Sequence, residues 1–418
     1  MLIDRIRLVG IAPSCLFPNG NRKGFLSRLM TIVLILLTVS LAFVDPRLRF
    51  GSVAVYDYTI VLLWIFLVSS GRVRVRRCKR LLVRTVLPLL GIISAGLVAN
   101  LIYNVDMQLV YLFKVLAGMA LYLGLRLLLS FAPLRIYHLL VVILELVGSC
   151  LGLIALLSSS SGRFEGTFTD PNYFAAFQSG ILCLAFALSV QKTEQGLARV
   201  WHIMCTAIIG FSIALSFSRG GYLAMAFGMI TVLLSMPKKS LSKITLLLLG
   251  FGVCLGLIAF AQLPVYHRWG SRLSLQEAIS SGGTGRLSIW TRGLQAVCQR
   301  PLGHGWGTER TVLGKVSHNV LLEVGIQSGL VGVILILLFL FLLFHDLMRL
   351  RRLEGWGVAP GLLGAVVATL VASMFVSALL SRHFWYMLAL ANGAVDATFH
   401  YRRTNEMVSS QGDGKFNG

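Results

Sequence analysis

Charge is scarce in this 418-residue chain, and acidic charge is scarcer still. Charged residues make up 13% of the chain and hydrophobic residues 56%, with a mean hydropathy of +0.80. One soluble core cannot bury so much apolar surface in a chain of this length. The apolar residues form runs of about 20, which is the length that a helix needs to cross the hydrocarbon layer. The alternating segments of about ten residues that a membrane β-barrel requires are lacking. We therefore predict an all-α integral membrane protein.

Several chemical signatures are also missing. The seven cysteines include no Cys-x-x-Cys pair, so neither a disulfide framework nor a zinc site is indicated. No His-x-x-x-His spacing occurs, and the few acids of the predicted outer loops form no pair that would hold a divalent ion. A nucleophile elbow and a P-loop are likewise absent. We expect no metal and no cofactor.

Basic residues outnumber acidic ones, 38 to 16, for a formal charge of +22. They gather in short stretches between apolar runs, at 72–80, 238–243 and 349–352. By the positive-inside rule these loops are cytoplasmic, and they can contact anionic lipid heads. Because no contiguous basic soluble domain exists, we do not expect nucleic acid as a partner.

The hydropathy pattern predicts about twelve spans, an even number that places both termini in the cytoplasm. The predicted spans centre on 27–44, 53–70, 85–103, 108–130, 136–157, 172–190, 201–217, 221–236, 244–261, 326–344, 357–380 and 384–400. The resulting plan is a cytoplasmic segment 1–26, nine spans in 27–261, a long outer loop 262–317, three spans in 318–403 and a disordered cytoplasmic tail 404–418.

The long loop contains a helical pattern, and loops of this length are usually functional. Thr284 is the expected N-cap and Pro301 the stop signal. An amphipathic helix here would lie on the bilayer surface or on the bundle. Its predicted apolar stripe is Leu287, Trp290, Leu294 and Val297.

Arginines on the predicted outer side need a reason, because outer loops are poor in them. Arg163 lies before a span, Arg219 lies in a tight Ser-Arg-Gly-Gly turn, and Arg286 opens the amphipathic helix. Converging guanidinium groups suit a diphosphate, to which each offers two parallel donors. The alternative is that each arginine reaches to lipid headgroups, as Arg292 and Arg382 also could. For Arg219, wedged before two glycines, we favour function.

His318 begins the span that follows the long loop. A neutral imidazole there could accept a hydroxyl proton, although an interfacial histidine without a function is the alternative. The glycine-rich turn 303–307 could hold a phosphate, but a plain turn is the favoured interpretation. Lys114 and Glu145 lie within apolar runs and should face the bundle, where a mutual pair is one option.

These motifs occur in an order typical of one family. The segments 163–172, 216–221, 284–286 with Trp290, and 303–307 are followed by His318-Asn319, which precedes Gly329-Leu-Val-Gly332 by nine residues. Together they resemble the O-antigen ligase and polymerase superfamily, and the ligases most closely. The resemblance extends over 158–333 by motif and over the whole chain by topology.

The resemblance implies a GT-C-like glycosyltransferase of the bacterial inner membrane whose active site faces the periplasm. It implies inverting, metal-independent transfer of glycan from undecaprenyl diphosphate to a hydroxyl of lipid A–core, in lipopolysaccharide assembly. Arg219 and Arg286 would hold the donor diphosphate and His318 would act as general base. The implied substrate-binding residues are Arg163, Asn172, Trp290, Arg292 and Asn319.

Other functions stay open. A repeat-unit polymerase shares this donor chemistry, although polymerases often have two sizeable outer loops and this sequence predicts one. Protein O-oligosaccharyltransferases often carry a substantial domain after the last spans, and we expect none here. A lipid-linked sugar transporter would place ionisable groups at the midplane and show repeats, which we do not find. A membrane scaffold would leave Arg219 and His318 freely replaceable.

Overall fold

The computed structural model describes residues 22–41, 49–50, 53–70, 81–158, 164, 167–168, 170–237, 242, 285–349 and 357–412. Apart from one pair of two-residue strands, the regular elements in these ranges are helices, which confirms the all-α class. The strands β1 (Arg49–Phe50) and β2 (Val53–Ala54) pair antiparallel. The predictions for Arg163, Thr284 and span 244–261 concern residues outside these ranges.

In the described ranges the helices occur in the order that follows. They are α1 (Arg22–Ser40), α2 (Val55–Ser69), α3 (Leu87–Ile102, preceded by a π-helical turn Leu82–Val86), α4 (Leu109–Ser130), α5 (Leu134–Ser158), α6 (Pro171–Ser189), α7 (Gly196–Leu215), α8 (Arg219–Ser235), α9 (Arg286–Gln299), α10 (Glu309–Leu313), α11 (Val320–Leu347), α12 (Val358–Ala372) and α13 (Arg382–Gly412), with a 3₁₀ turn Ala378–Leu380 before α13.

The predicted spans other than 244–261 overlap these helices. In the described ranges, 6 helices are long and apolar enough to cross a membrane: α3 with its preceding turn, α4, α5, α6, α7 and α11. Four shorter apolar helices accompany them, in α1, α2, α8 and α12. The chain is thus a multi-pass membrane protein, and the count of twelve spans stays a prediction.

Two predicted boundaries are wrong. α12 ends at Ala372, so the predicted span 357–380 is cut short by a turn in which the Ser373 and Phe375 amides bond back to Thr369 and Ala372. α13 continues to Gly412, so 404–412 is helical and not a disordered tail. No proline or glycine occurs between Arg403 and Gly412, and nothing in that stretch therefore breaks the helix.

Two arginines of the bundle form ion pairs, which offsets the cost of placing a charge in a membrane. Arg126 Nε donates to Asp396 at 2.7 Å, and Arg84 forms an ion pair with Asp346. The option that Lys114 pairs with Glu145 is wrong. The Lys114 side chain is exposed, whereas Glu145 is fully buried against α7.

One end of the bundle is here called the His318 end. It contains the starts of α6, α8, α11 and α13 and the ends of α7 and α12. The Val320 amide donates to the Ser373 carbonyl at 3.0 Å, and the Ser377 amide donates to the Tyr173 hydroxyl at 3.0 Å. These bonds hold the loop after α12 against α6 and α11. α9 lies on α11 at the same end.

The packed face of α9 differs from the predicted stripe. Gly293, Ala296 and Val297 are the buried residues, while Leu287 and Leu294 are 65% and 60% exposed. A Cβ on Gly293 would lie 3.3 Å from Leu322 of α11, so small residues let the two helices approach closely. Of the predicted stripe, Val297 therefore packs against the bundle, whereas Leu287 and Leu294 point away from it.

Candidate active site

Arg219 is the first residue of α8, directly after a sharp turn. Phe217 has φ of 48°, and Ser218 is the N-cap, whose Oγ accepts from the Gly221 amide at 3.2 Å. The same hydroxyl donates to Asn172 Oδ1 at 2.8 Å. The start of α8 is therefore fixed to the start of α6.

The two glycines after Arg219 are required by close contacts. A Cβ on Gly220 would lie 2.7 Å from the Cβ of Phe375, and a Cβ on Gly221 would lie 2.5 Å from that of Ala175. Real Cβ atoms do not approach so closely, so larger residues would push α8 away from its neighbours. The Arg-Gly-Gly sequence thus packs Gly220 against Phe375 and Gly221 against α6, directly after Arg219.

The Arg219 guanidinium has an unmet hydrogen-bonding capacity. Its Nη1 is buried and has no hydrogen-bond partner among the described residues. Buried polar groups are nearly always satisfied, so such an atom needs an explanation. A cation at a helix N-terminus is also opposed by the positive end of the helix dipole. Both facts favour an anion as the missing partner.

Phe375 connects Arg219 to α9. The Arg286 guanidinium carbon lies 5.6 Å from the centroid of the Phe375 ring, and the Trp290 ring lies 6.2 Å from it. Arg286 is the first residue of α9, and Gly285, with φ of 75°, occupies the N-cap position expected for Thr284. A second cation therefore stands over the same ring that the α8 turn contacts.

His318 has a backbone that its surroundings hold firmly. Its φ of 51° is unusual for a residue other than glycine. The preceding Ser317 amide donates to Glu309 Oε1 at 2.8 Å, and the Ser317 carbonyl accepts from Trp290 Nε1 at 3.0 Å. The following Asn319 caps α11, its Oδ1 accepting from the Leu321 amide at 3.0 Å. Strain held in this way is common at functional sites.

The electrostatics keep His318 neutral. Burial lowers the pKa of His318, the charge of Arg286 lowers it further, and the carboxylate of Asp170 acts in the opposite direction. Asp170 is the N-cap of α6 and Arg286 begins α9. The starts of these two helices therefore influence the pKa of the imidazole that precedes α11. A neutral imidazole beside a cation is suited to accept a proton.

Comparison with known families supports this interpretation of the region. Residues 204–337 match the model of the O-antigen ligase family. The chain is therefore similar to that family over this segment. The matched segment contains Arg219, Arg286 and His318 and confirms the resemblance seen in the sequence. No curated protein matches the chain.

The remaining predicted residues of the matched segment and its surroundings divide into two groups. Trp290, Asn172 and Asn319 lie at the site, but the hydrogen bonds described above use the Trp290 Nε1 and the two amide oxygens to hold backbone and helix starts in place. Arg292 is exposed and lies six residues after Arg286, about 240° around α9, so the structure does not bring it to the other two cations. Its role in substrate binding stays a prediction.

Arg382 is another arginine on the predicted outer side that lies in the described part of the chain. Its Nε and Nη2 donate to Asp57 Oδ1, each at 3.1 Å, and its Nη1 donates to the Lys114 carbonyl at 2.6 Å. A guanidinium with three such bonds is committed to holding α2, α4 and α13 together. Arg219 differs, because its buried Nη1 has no hydrogen-bond partner among the described residues.

The glycine-rich turn 303–307 of the matched segment is a packing element and does not bind phosphate with its amides. Its His304 and Gly305 amides donate to the carbonyls of Ile326 and Gln327 at 2.7 and 3.1 Å. Gly329 departs from helical geometry with φ of 65°, and a Cβ there would lie 2.2 Å from the Pro301 carbonyl oxygen. Gly329 thus opens α11 to admit this turn.

Two residues of the site were missed from the sequence. Phe375 lies in what the hydropathy pattern predicts as a span, and no local signal marks it. Glu309 is 3% exposed, and burial raises its pKa while the Ser317 bond lowers it. An acid in a predicted outer loop is ordinary in sequence, so only the fold shows that it anchors the residue before His318.

Proposed function

We propose that this protein is an O-antigen ligase of the bacterial inner membrane. It would move a glycan from undecaprenyl diphosphate to a hydroxyl of lipid A–core at the periplasmic face. The family match supports a membrane enzyme of the O-antigen ligase and polymerase type. The observation that carries the finer proposal is the buried Nη1 of Arg219, which has no hydrogen-bond partner among the described residues, at the same end of the bundle as a neutral His318.

Arg219 and Arg286 bind the donor diphosphate in this proposal. Guanidinium groups make charge-assisted, bidentate bonds with phosphate oxygens. Their charge also stabilises the diphosphate as it departs, which is the role that a divalent ion has in many sugar transferases. Phe375 sets the approach of both groups, because the α8 turn and the Arg286 guanidinium contact the same ring. Arg163 is a third candidate for this site.

His318 acts as general base. It takes the proton of the acceptor hydroxyl as that oxygen forms a bond to the anomeric carbon. The bond from this carbon to the diphosphate oxygen breaks at the same time, and undecaprenyl diphosphate leaves with the electron pair. Attack opposite the leaving group inverts the anomeric configuration. The proton on His318 then passes to solvent.

The two exposed leucines of α9 suit a donor carried on a lipid. Leu287 and Leu294 are seven residues apart, so they lie on nearly the same side of the helix as each other. Leucines more than half exposed on a helix that begins with Arg286 would contact hydrocarbon. The diphosphate and the polyprenyl chain would then meet the same helix.

Glycan transfer in membranes tests the proposal. Membranes with equal amounts of wild type, His318→Ala or Arg219→Ala receive lipid-linked glycan and lipid A–core without added divalent ions. We expect wild type to form glycan-capped lipid A, and both variants to lose the capped band. Arg310→Ala is the control, since Arg310 is an exposed arginine of the same outer segment.

Two outcomes would contradict the proposal in different ways. Wild-type capping by both variants would remove the assigned roles of Arg219 and His318. Lengthening of the lipid-linked glycan without capping would identify a repeat-unit polymerase, in which the acceptor hydroxyl belongs to a second lipid-linked glycan.

A further inference from the structure

A cluster of metal-ligand side chains lies at the bundle end opposite His318. His138 of α5, Glu194 of the α6–α7 connection and His202 of α7 each bring one ligand atom within 4.8 Å of the others. Imidazole and carboxylate together suit a first-row transition ion, with zinc the common choice in proteins. We propose that these three residues bind a Zn²⁺-like ion, a site independent of the glycan-transfer chemistry.

The orientation of His202 is that of a metal ligand. Its Nδ1 lies 2.7 Å from Glu145 Oε1, and its Nε2 faces Glu194 Oε2 at 3.9 Å. A proton on Nδ1, donated to Glu145, leaves the lone pair of Nε2 directed at Glu194. Metal-binding histidines are held in this way by a carboxylate behind them.

The buried Glu145 carboxylate favours the binding of a cation nearby. Its side chain is fully buried, and His202 is 1% exposed. Glu145 Oε2 also accepts from Trp201 Nε1 at 2.8 Å. Hydrogen bonds alone leave a carboxylate uncompensated in a bundle, whereas an ion on the far side of the imidazole offsets it.

The spacing requires little rearrangement to bind an ion. Ligands about 2.0–2.1 Å from a tetrahedral zinc lie roughly 3.4 Å from one another. The 3.9 Å between His202 Nε2 and Glu194 Oε2 is close to that value. The His138 and His202 rings are nearly perpendicular, with centroids 6.4 Å apart, so their nitrogens can converge without ring stacking.

Arg199, a basic residue at this end, bonds to backbone carbonyls. Arg199 Nη2 donates to the Gln191 and Lys192 carbonyls at 3.4 and 3.1 Å. That guanidinium is therefore committed to the loop that carries Glu194. An ion held by the cluster would fasten α5, α7 and this loop together. Local spacing could not predict the site, because its ligands come from three elements; the expected absence of metal rested on such spacing.

Metal binding by the whole protein tests the inference. Protein purified in detergent without a histidine tag is stripped with chelator and titrated with Zn²⁺ against a chelating dye, and its metal content is measured by mass spectrometry. We expect about one ion per chain, and a rise in melting temperature on adding Zn²⁺. His138→Ala and Glu194→Gln should lose at least about tenfold in affinity, as should Glu145→Gln through His202.

His345→Ala is the control, because His345 is a largely exposed histidine whose ion-pair partner lies at the end of α11; it should bind Zn²⁺ like wild type. Wild-type protein that binds no more zinc than Glu194→Gln would overturn the inference, as would equal losses in the control. If a variant fails to fold, Co²⁺ added to wild type should show the absorption of a tetrahedral site, and its absence would have the same consequence.

Discussion

Replacing Arg219 by methionine should reduce glycan transfer strongly while leaving the protein as stable as before, or slightly more stable. The buried Nη1 of Arg219 has no partner among the described residues, so the folded state loses no hydrogen bond from it when the guanidinium is removed. The methionine side chain has an apolar stem similar in length to that of the arginine. In the proposed mechanism, however, the charge meets the diphosphate as it departs.

The two effects can be estimated separately. Loss of one donor to developing negative charge lowers the rate by about 10²–10³-fold, or roughly 2.7–4 kcal/mol. A buried unsatisfied polar atom costs about 1–3 kcal/mol, and the half-exposed state of the whole Arg219 side chain reduces that value. We expect the free energy of unfolding to change by about 0 to +1 kcal/mol on removing the group.

Arg382→Met is the matched control, because Arg382 lies at the same end of the bundle but bonds to Asp57 and Lys114. Its removal leaves Asp57 without that cation, and breaking a buried pair costs about 3–5 kcal/mol. The control should therefore melt several degrees lower. Any loss of transfer by it should follow the loss of folded protein.

The assay combines melting temperature in detergent with transfer per unit of folded protein. The reasoning is refuted if Arg219→Met melts as low as Arg382→Met, since Nη1 would then have a partner in the folded state. It is also refuted if Arg219→Met retains full specific transfer.

Three further changes have definite expected results. Asp170→Asn keeps an N-cap but removes the charge that raises the pKa of His318; the acid limb of kcat/KM, which falls as His318 becomes protonated, should move to lower pH in a pH-rate profile. Gly329→Ala should lower the melting temperature well beyond Gly314→Ala: both have positive φ, worth about 1–2 kcal/mol, but only Gly329 would also clash, at 2.2 Å, with a carbonyl oxygen. Trp290→Phe loses the bond to the carbonyl before His318 while keeping an aromatic ring, so kcat measured at saturating donor should fall up to about tenfold.

The sequence predicted the helices well because membrane burial is a local signal. A run of apolar residues must form its own hydrogen bonds within hydrocarbon, whatever packs against it. The helix of the outer loop was also predictable, since Pro301 marks its end and α9 ends at Gln299. The order of short motifs then sufficed to identify Arg219, Arg286 and His318 as candidates.

Contacts between distant segments could not be predicted in the same way. Hydropathy favoured Leu287 and Leu294 as the packed side of α9, yet Gly293 and Ala296 pack because small residues admit the α11 backbone. Phe375 lies outside the matched family segment. It contacts the α8 turn and the Arg286 guanidinium only because α12 ends early. Glu145 was expected to pair with another charge in a span, and its partner proved to be His202.

The same local device appears twice at the site, and it explains why both proposed functional groups lie at helix starts. Phe217 and His318 each have positive φ, and each precedes an extended N-cap residue, Ser218 or Asn319, whose side chain accepts from the first turn. This sequence of conformations reverses the chain without a long loop. Arg219 follows one cap directly, and His318 precedes the other. Because rigid helices carry both turns, the cation and the base keep their relative positions before substrate arrives, which is the condition for preorganised charge stabilisation.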